Sequence, residues 1–469
     1  MIRLRETELY RAELRTRLTF RYGIAVMNFL PHVFVTARCE FGGGPSASGC
    51  AADHLPPKWF TKDPLREPAQ EIDDMIAVIR QAQRHAEQVE SAPTLFAFWR
   101  LAYELQAKWA EERGIPLLLA QFGTSLVERA MIDAFCRSTG QTFAAALHAN
   151  AFGIELGSIH AELAGTSPAD WLPERPADRV FARHAVGLSD PLTEAEIAPA
   201  DRLDDGLPQS LEACIAAYGL RHFKLKISGA GDLARLRSIA AVLDRRAPAD
   251  YACSLDGNEG FAQMGAFEEF WAEFSRDPAL AGIRQSLLFV EQPFPRAIAL
   301  SDEIGEAFRR RTERQPIVID ESDADLSSVT RALSLGYAGS THKNCKGIFK
   351  GVANACLIAW HRRRKPGARW SFTGEDLANI GPIALLQDLA VQASLGVSTV
   401  ERNGHHYFAG LSFWPPAVQE QVRSHHPDLF RASRDGWPTL RIEDGKVSVR
   451  SVVAAPFGYG FEFEASEGT

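Results

Sequence analysis

The chain has 469 residues, 46% of them hydrophobic and 23% charged, with a formal net charge of −8 at pH 7. That length calls for two or three domains, and the mild acidity, with no concentrated basic face, argues against a nucleic-acid partner. No apolar run is long enough to span a bilayer, the opening MIRLRETELYRAELR lacks the apolar core of a secretory signal, and the seven cysteines are scattered without a CxxC pair, so a cytoplasmic protein with reduced thiols is expected.

Residues 9–41 alternate in the manner of antiparallel strands, and GGGPSASG (42–49) reads as a loop. EIDDMIAVIRQAQRHAEQVE, FAFWRLAYELQAKWAEERG and SLVERAMIDAFCRSTG then carry apolar residues at helical spacing. Residues 1–165 are therefore assigned to an α+β domain, with WLPERPADR (171–179) as a linker. From residue 178 the pattern changes to short apolar runs separated by helical stretches. The runs are RVFARHAVG, HFKLKI, YACSLDGN, LLFVEQP, PIVIDES, YAGSTHKN, WSFTGED and STVERNG. Strand and helix alternating eight times predicts an α/β fold, a TIM-type (β/α)8 barrel over residues 166–415. In the last segment, 416–469, TLRIEDGKVSVRS (439–451) reads as a hairpin about an Asp-Gly turn, expected to return to the first domain rather than join the barrel. The basic run HRRRK (361–365) is read as the solvated end of a helix.

The second run places Phe223, Leu225 and Ile227 on one face and Lys224 and Lys226 on the other. Active-site groups of a parallel barrel project from the C-terminal strand ends. Those ends carry Asp256 and Asn258 on the third strand, Glu291 on the fourth, Asp320 and Glu321 on the fifth, and His342 and Lys343 on the sixth. Three successive carboxylates crowded into one mouth need positive charge. Octahedral Mg²⁺ with oxygen ligands from Asp256, Glu291 and Asp320 is the expected answer, with Mn²⁺ as a possible substitute. Lys224 and Lys226 then face the mouth from one side and Lys343 from the other. Lys346 is a rival for Lys343, and Glu321, the neighbour of Asp320, is expected to turn into a salt link. A lysine acting as base needs its pKa lowered, and a metal and a second ammonium push that way. Glu375 and Asp376 after the seventh strand, and Glu401, Arg402, His405 and His406 after the eighth, fall at the same mouth.

Taken in order, the KxK of FKLKI, the Asp of LDGNEGF, the Glu of FVEQP, the Asp of IDES and the Lys of HKNCKG resemble the enolase superfamily, in its muconate-lactonizing-enzyme and dipeptide-epimerase branch of the mandelate racemase/muconate lactonizing enzyme family. SLVERAMIDAFCRSTGQTFAAAL resembles the helix that closes that family's N-terminal capping domain. The resemblance implies a capping domain completed by the C-terminal segment, and Asp256, Glu291 and Asp320 as metal ligands. It also implies Lys226 and Lys343 as acid/base groups on opposite faces of the substrate's α-carbon, with Lys224 steadying the carboxylate and its enolate. The partner implied is a small-molecule carboxylate, and the chain is implied to form a homo-oligomer. Asn258, Arg21, Tyr22, Trp59, Glu375, Glu401 and His405 are further candidates for substrate contact, with Lys58 beside them. A racemase, epimerase or cycloisomerase is the expected activity. An acid-sugar dehydratase on the same scaffold, a Schiff-base lysine aldolase and a non-enzymatic binding protein are the alternatives, and no His/Asp dyad of the mandelate-racemase kind is evident.

Overall fold

In the computed structural model, which describes residues 1–311 and 315–465, the alternating N-terminal stretch forms three antiparallel strands, β1 (Ile2–Tyr22), β2 (Ala25–Phe41) and β3 (Ser46–His54). β3 ends opposite His32, so β1 and β2 run on alone as a ribbon whose tip buries Phe20, Tyr22 and Met27. The loop expected over 42–49 is shorter than its glycines suggested, because Ser46 to Gly49 already pair with β2. Gly49 is there for close approach. A Cβ on it would lie 2.2 Å from the Ala134 nitrogen and 2.3 Å from the Ala130 oxygen of the helix that crosses the sheet. Gly49→Ala is expected to cost on the order of 3 kcal/mol through overpacking, read as a lower midpoint in denaturant unfolding, and an unchanged midpoint would refute the contact.

That helix is α3 (Leu117–Thr139), the third after α1 (Pro68–Gln88) and α2 (Leu95–Glu111). α1 buries one stripe, including Ile72, Met75, Ile79 and Ala86, as an amphipathic surface helix should. α3 is buried along almost its whole length because it has partners on both sides. Towards the barrel, its Glu128 accepts hydrogen bonds from the backbone N–H groups of Ile348 (3.0 Å) and Phe349 (2.7 Å).

All eight apolar runs are parallel strands: β4 (Arg179–Val186), β5 (His222–Lys226), β6 (Ala252–Asp256), β7 (Leu287–Glu291), β8 (Ile317–Ile319), β9 (Gly339–His342), β10 (Ser371–Gly374) and β11 (Thr399–Arg402). They pair in sequence, and β11 pairs with β4 to close the barrel. Helices cover the outside, and that of Ile348–Arg364 ends with Arg362, Arg363 and Arg364 in solvent. A short pair, β12 (Phe430–Ala432) and β13 (Pro438–Leu440), precedes β14 (Lys446–Ser448).

β14 corrects one expectation. The turn at Asp444 and Gly445 forms, but its second arm pairs antiparallel with β4, through Lys446 and Phe181, and not with the first domain. The reason is an open edge: pairing of β4 with β5 begins only at Arg183, so Arg179 to Phe181 offer unpaired backbone that β14 fills. The return to the capping domain comes later. Phe143 N–H donates to the Pro456 carbonyl (2.7 Å), the Tyr459 hydroxyl to Asp133 (2.6 Å), and Phe463 packs on Phe34 with ring centroids 5.1 Å apart. All seven cysteines are free and buried, and among the described residues no helix is long and apolar enough to cross a membrane.

Candidate active site

The pleat of β5 turns Phe223 and Leu225 outward and both lysines into the barrel, where Lys224 is 1% exposed and Lys226 7%. A lysine so buried needs anions around it. Lys224 Nζ has four: Glu291 (2.8 Å), Glu375 (2.8 Å), Glu401 (2.7 Å) and Asp256 (3.0 Å). Lys226 Nζ donates to Asp256 Oδ2 at 2.5 Å. Across the barrel, Lys343 Nζ donates to Asp320 Oδ2 (2.6 Å) and Glu375 Oε2 (2.7 Å) and stands 5.0 Å from the centroid of the Trp59 ring. Lys346 reaches Asp320 too, at 2.7 Å, while also bonding the backbone carbonyls of Asp320 and Thr341.

Glu375 joins the two lysine groups. Its Oε2 serves Lys224 and Lys343, and its Oε1 accepts from Arg183 Nη2 at 2.9 Å. Arg183, on β4 and fully buried, also donates to the Thr373 hydroxyl (2.6 Å). Sequence reasoning passed over it. The available signal was parity, since Arg183 of RVFARHAVG sits at an inward position of its strand.

Five cationic side chains (Arg183, Lys224, Lys226, Lys343, Lys346) thus meet five carboxylates (Asp256, Glu291, Asp320, Glu375, Glu401). For Lys224, Lys226 and Lys343 burial is the largest influence and lowers the pKa, but the carboxylates outweigh it, so Lys226 is raised and Lys224 and Lys343 are raised well above the usual lysine value. Lys224 does lower Lys226 and Lys343, as expected of a second ammonium, but within the chain's own field the carboxylates outweigh it. For Asp320 and Glu375 burial works upward, and the facing cations prevail and hold both below the usual carboxylate range. Glu291 is the exception. Burial, then Asp256 and Glu375, push its carboxyl well up.

That imbalance bears on a metal. Oxygens of Glu291, Asp320 and Glu375 lie within 4.8 Å of one another, and Glu291 Oε2 is buried without a hydrogen-bond partner among the described residues. A hard, oxygen-liganded divalent cation fits this donor set. Asp256, expected as the third ligand, stands outside that tightest group, with Oδ2 taken by the two lysines of β5 and Oδ1 by the Asn258 N–H (2.9 Å).

Above the carboxylates is a cavity between the barrel mouth and the capping domain. Lys224, Lys226, Asp256, Asp320, Lys343, Glu375 and Glu401 line it, as do Asn258, Tyr22 and Trp59, whereas Lys346 and Glu291 are not part of the lining. Three candidates fall elsewhere. Arg21 is exposed, because the alternation that turns Phe20 and Tyr22 inward turns it out. Lys58 is tied to Glu71 and to the carbonyls of Asp63 and Arg66. His405 lies behind β4, 3.1 Å from His184. Glu321 is not in the expected salt link, and its partner is the Asn258 amide at 3.3 Å. Asp376 lines the cavity and pairs with Arg402. Phe20, Met27 and Leu377 complete the wall, and no spacing in the sequence pointed to them.

An eight-stranded parallel barrel capped by an N-terminal α+β domain is also the fold of solved structures described as mandelate racemase/muconate lactonizing proteins, muconate lactonizing enzymes and dipeptide epimerases. Solved structures of that kind share this fold over nearly the whole chain. Muconate lactonizing enzyme from Pseudomonas fluorescens, complexed with muconolactone, aligns with TM-score 0.57 and 17% identity over 95% of this chain and 94% of its own. An enolase from Bradyrhizobium complexed with magnesium and mandelic acid gives 0.56 and 14%, covering 95% and 93%. Dipeptide epimerase from Methylococcus capsulatus, complexed with Mg and the dipeptide L-Arg-D-Lys, gives 0.52 and 14%, covering 95% and 99%. No protein-family model and no curated protein matches the chain.

Proposed function

We propose that this protein is an Mg²⁺-dependent enzyme that removes and returns a proton α to a carboxylate, as a racemase, epimerase or cycloisomerase. The observation that carries the reading is the placement of Lys226 and Lys343 on opposite sides of one cavity, above a bed of buried carboxylates. Asp256, Glu291 and Asp320 are the proposed ligands, since they stand at the C-terminal ends of the three consecutive strands β6, β7 and β8, with Glu375 as the fourth carboxylate of the bed, close to Glu291 and Asp320. When bound, the metal supplies positive charge against the negative charge that develops on the substrate carboxylate, and it disfavours the ammonium form of nearby lysines. Lys224 adds a fixed cation on the same side, Lys226 moves the proton on one face of the α-carbon, and Lys343 moves it on the other.

The wall contributed by the capping domain narrows the substrate. Phe20, Tyr22, Met27 and Trp59 are apolar or aromatic, and the charged lining residues all belong to the barrel and its loops. A second substrate charge would meet no partner on that wall, so the proposed substrate is a small monocarboxylate with an uncharged, apolar substituent. Among the neighbours' ligands, mandelic acid has that character.

The test is α-proton exchange in D₂O with Mg²⁺ across aryl- and alkyl-substituted acids, N-acyl amino acids, dipeptides and sugar acids, read by mass spectrometry and chiral separation. Deuterium at the α-carbon with inversion is the expected result. Loss of water with formation of a keto acid would replace this reading by dehydration. Chelation of the metal is expected to remove exchange by a factor of at least about 10², with recovery on adding Mg²⁺ or Mn²⁺. Exchange that survives chelation would overturn the metal assignment.

A further inference from the structure

Behind the first barrel strand, on the face turned from the cavity, three histidines and a cysteine converge without taking part in the site above. His184 is on β4, Cys214 on the helix Leu211–Tyr218, and His405 and His406 on the short helix Gly404–Tyr407 that follows β11. One ligand atom from each of His184, Cys214 and His406 lies within 4.8 Å of the others. Cys214 Sγ stands 3.6 Å from His406 Nδ1, and His184 Nδ1 stands 3.1 Å from His405 Nε2. All four side chains are buried, and His405 Nδ1 has no hydrogen-bond partner among the described residues.

The donor chemistry differs from that of the carboxylate bed. Imidazole nitrogen and thiolate sulfur suit zinc, where Mg²⁺ demands oxygen. Tetrahedral zinc, with bonds of about 2.0–2.1 Å to nitrogen and about 2.3 Å to sulfur, puts ligand atoms roughly 3.4–3.7 Å apart, which is the separation of Cys214 from His406. Burial lowers the pKa of all three imidazoles and so keeps them in the neutral form that ligates. The same burial raises the Cys214 thiol, so sulfur would ligate only by giving up its proton as the ion binds.

We propose that His184, Cys214 and His406 bind one zinc ion, with His405 fixing the His184 ring through their paired nitrogens. The location gives the ion a purpose. β4 and β11 are the strands whose pairing closes the barrel, and the ligands come from β4, from the helix that follows it and from the turn after β11. Zinc there ties the seam at which the chain's first and last barrel strands meet. It would also hold the turn that follows Glu401, one of the carboxylates on Lys224.

The experiment uses the full chain produced in zinc-supplemented medium and freed of loosely held metal. Plasma mass spectrometry is expected to find about one zinc per chain. Cobalt-substituted protein should show visible bands of tetrahedral Co²⁺ and a near-ultraviolet thiolate charge-transfer band. Cys214→Ser, checked for an unchanged circular dichroism spectrum, should lose the charge-transfer band. Asp320→Asn, which alters only the carboxylate bed, should keep both the zinc and the cobalt spectrum, so this site and the proposed magnesium chemistry stand or fall separately. Wild-type protein with less than a tenth of an equivalent of zinc, and no tetrahedral cobalt bands after refolding with that metal, would overturn the proposal. So would a charge-transfer band that persists in folded Cys214→Ser.

Discussion

Lys226→Ala is expected to abolish α-proton exchange from one enantiomer of the substrate, and Lys343→Ala from the other, each by a factor of about 10²–10⁴ or more. β5 and β9 are separated by three strands on either side of the ring, so their inward lysines approach from diametrically opposite sides. A planar enolate between them can be protonated on either face, and each lysine serves one. The surroundings of the two are unequal. Lys226 bonds Asp256 alone, whereas Lys343 bonds Asp320 and Glu375 and lies by the Trp59 ring. Removing either leaves the proposed ligands Asp256, Glu291 and Asp320 in place, so Mg²⁺ affinity should change little, and calorimetric titration with the metal checks that. Exchange retained from both enantiomers in either variant would end the two-base assignment.

The barrel was legible because strands of a parallel sheet are buried on both faces and read as apolar runs, which CSLD, LFVE and IVID do before each meets its carboxylate. The parity of Lys224 and Lys226 followed from the strand period alone. Other features depend on which surfaces the fold leaves open. The second arm of the hairpin at 439–451 is polar and apolar in alternation and could have joined any free edge. Only the overhang of β4 past β5 decides for the barrel. In GGGPSASG, turn glycines and a packing glycine look alike in sequence, and Gly49 differs only in having α3 against it. His405 follows a strand end, a position that points to the mouth, but the turn carries it behind β4. The cluster it joins draws on residues 184, 214 and 406, whose proximity no local pattern encodes.

Arg183→Met is expected to destabilise the protein by about 3–5 kcal/mol, since it removes one member of a fully buried set of charges and leaves the others short of a partner. Among the described residues the guanidinium is the only cation on Glu375 that does not line the cavity, and it holds Oε1 at 2.9 Å while Oε2 serves Lys224 and Lys343. Without it, Glu375 is free to turn, and both lysines lose a common anchor. Exchange should therefore fall for both enantiomers alike, unlike the one-sided losses expected of the lysine variants. Arg183→Lys should not restore the native state, because one ammonium cannot reproduce the fork that donates to Thr373 from Nη1 and to Glu375 from Nη2. Denaturant unfolding and two-direction exchange rates on the same preparations give both readouts. If Arg183→Met unfolds at the wild-type midpoint, Glu375 is held by the lysines alone, and the role assigned here to β4 in the site is wrong.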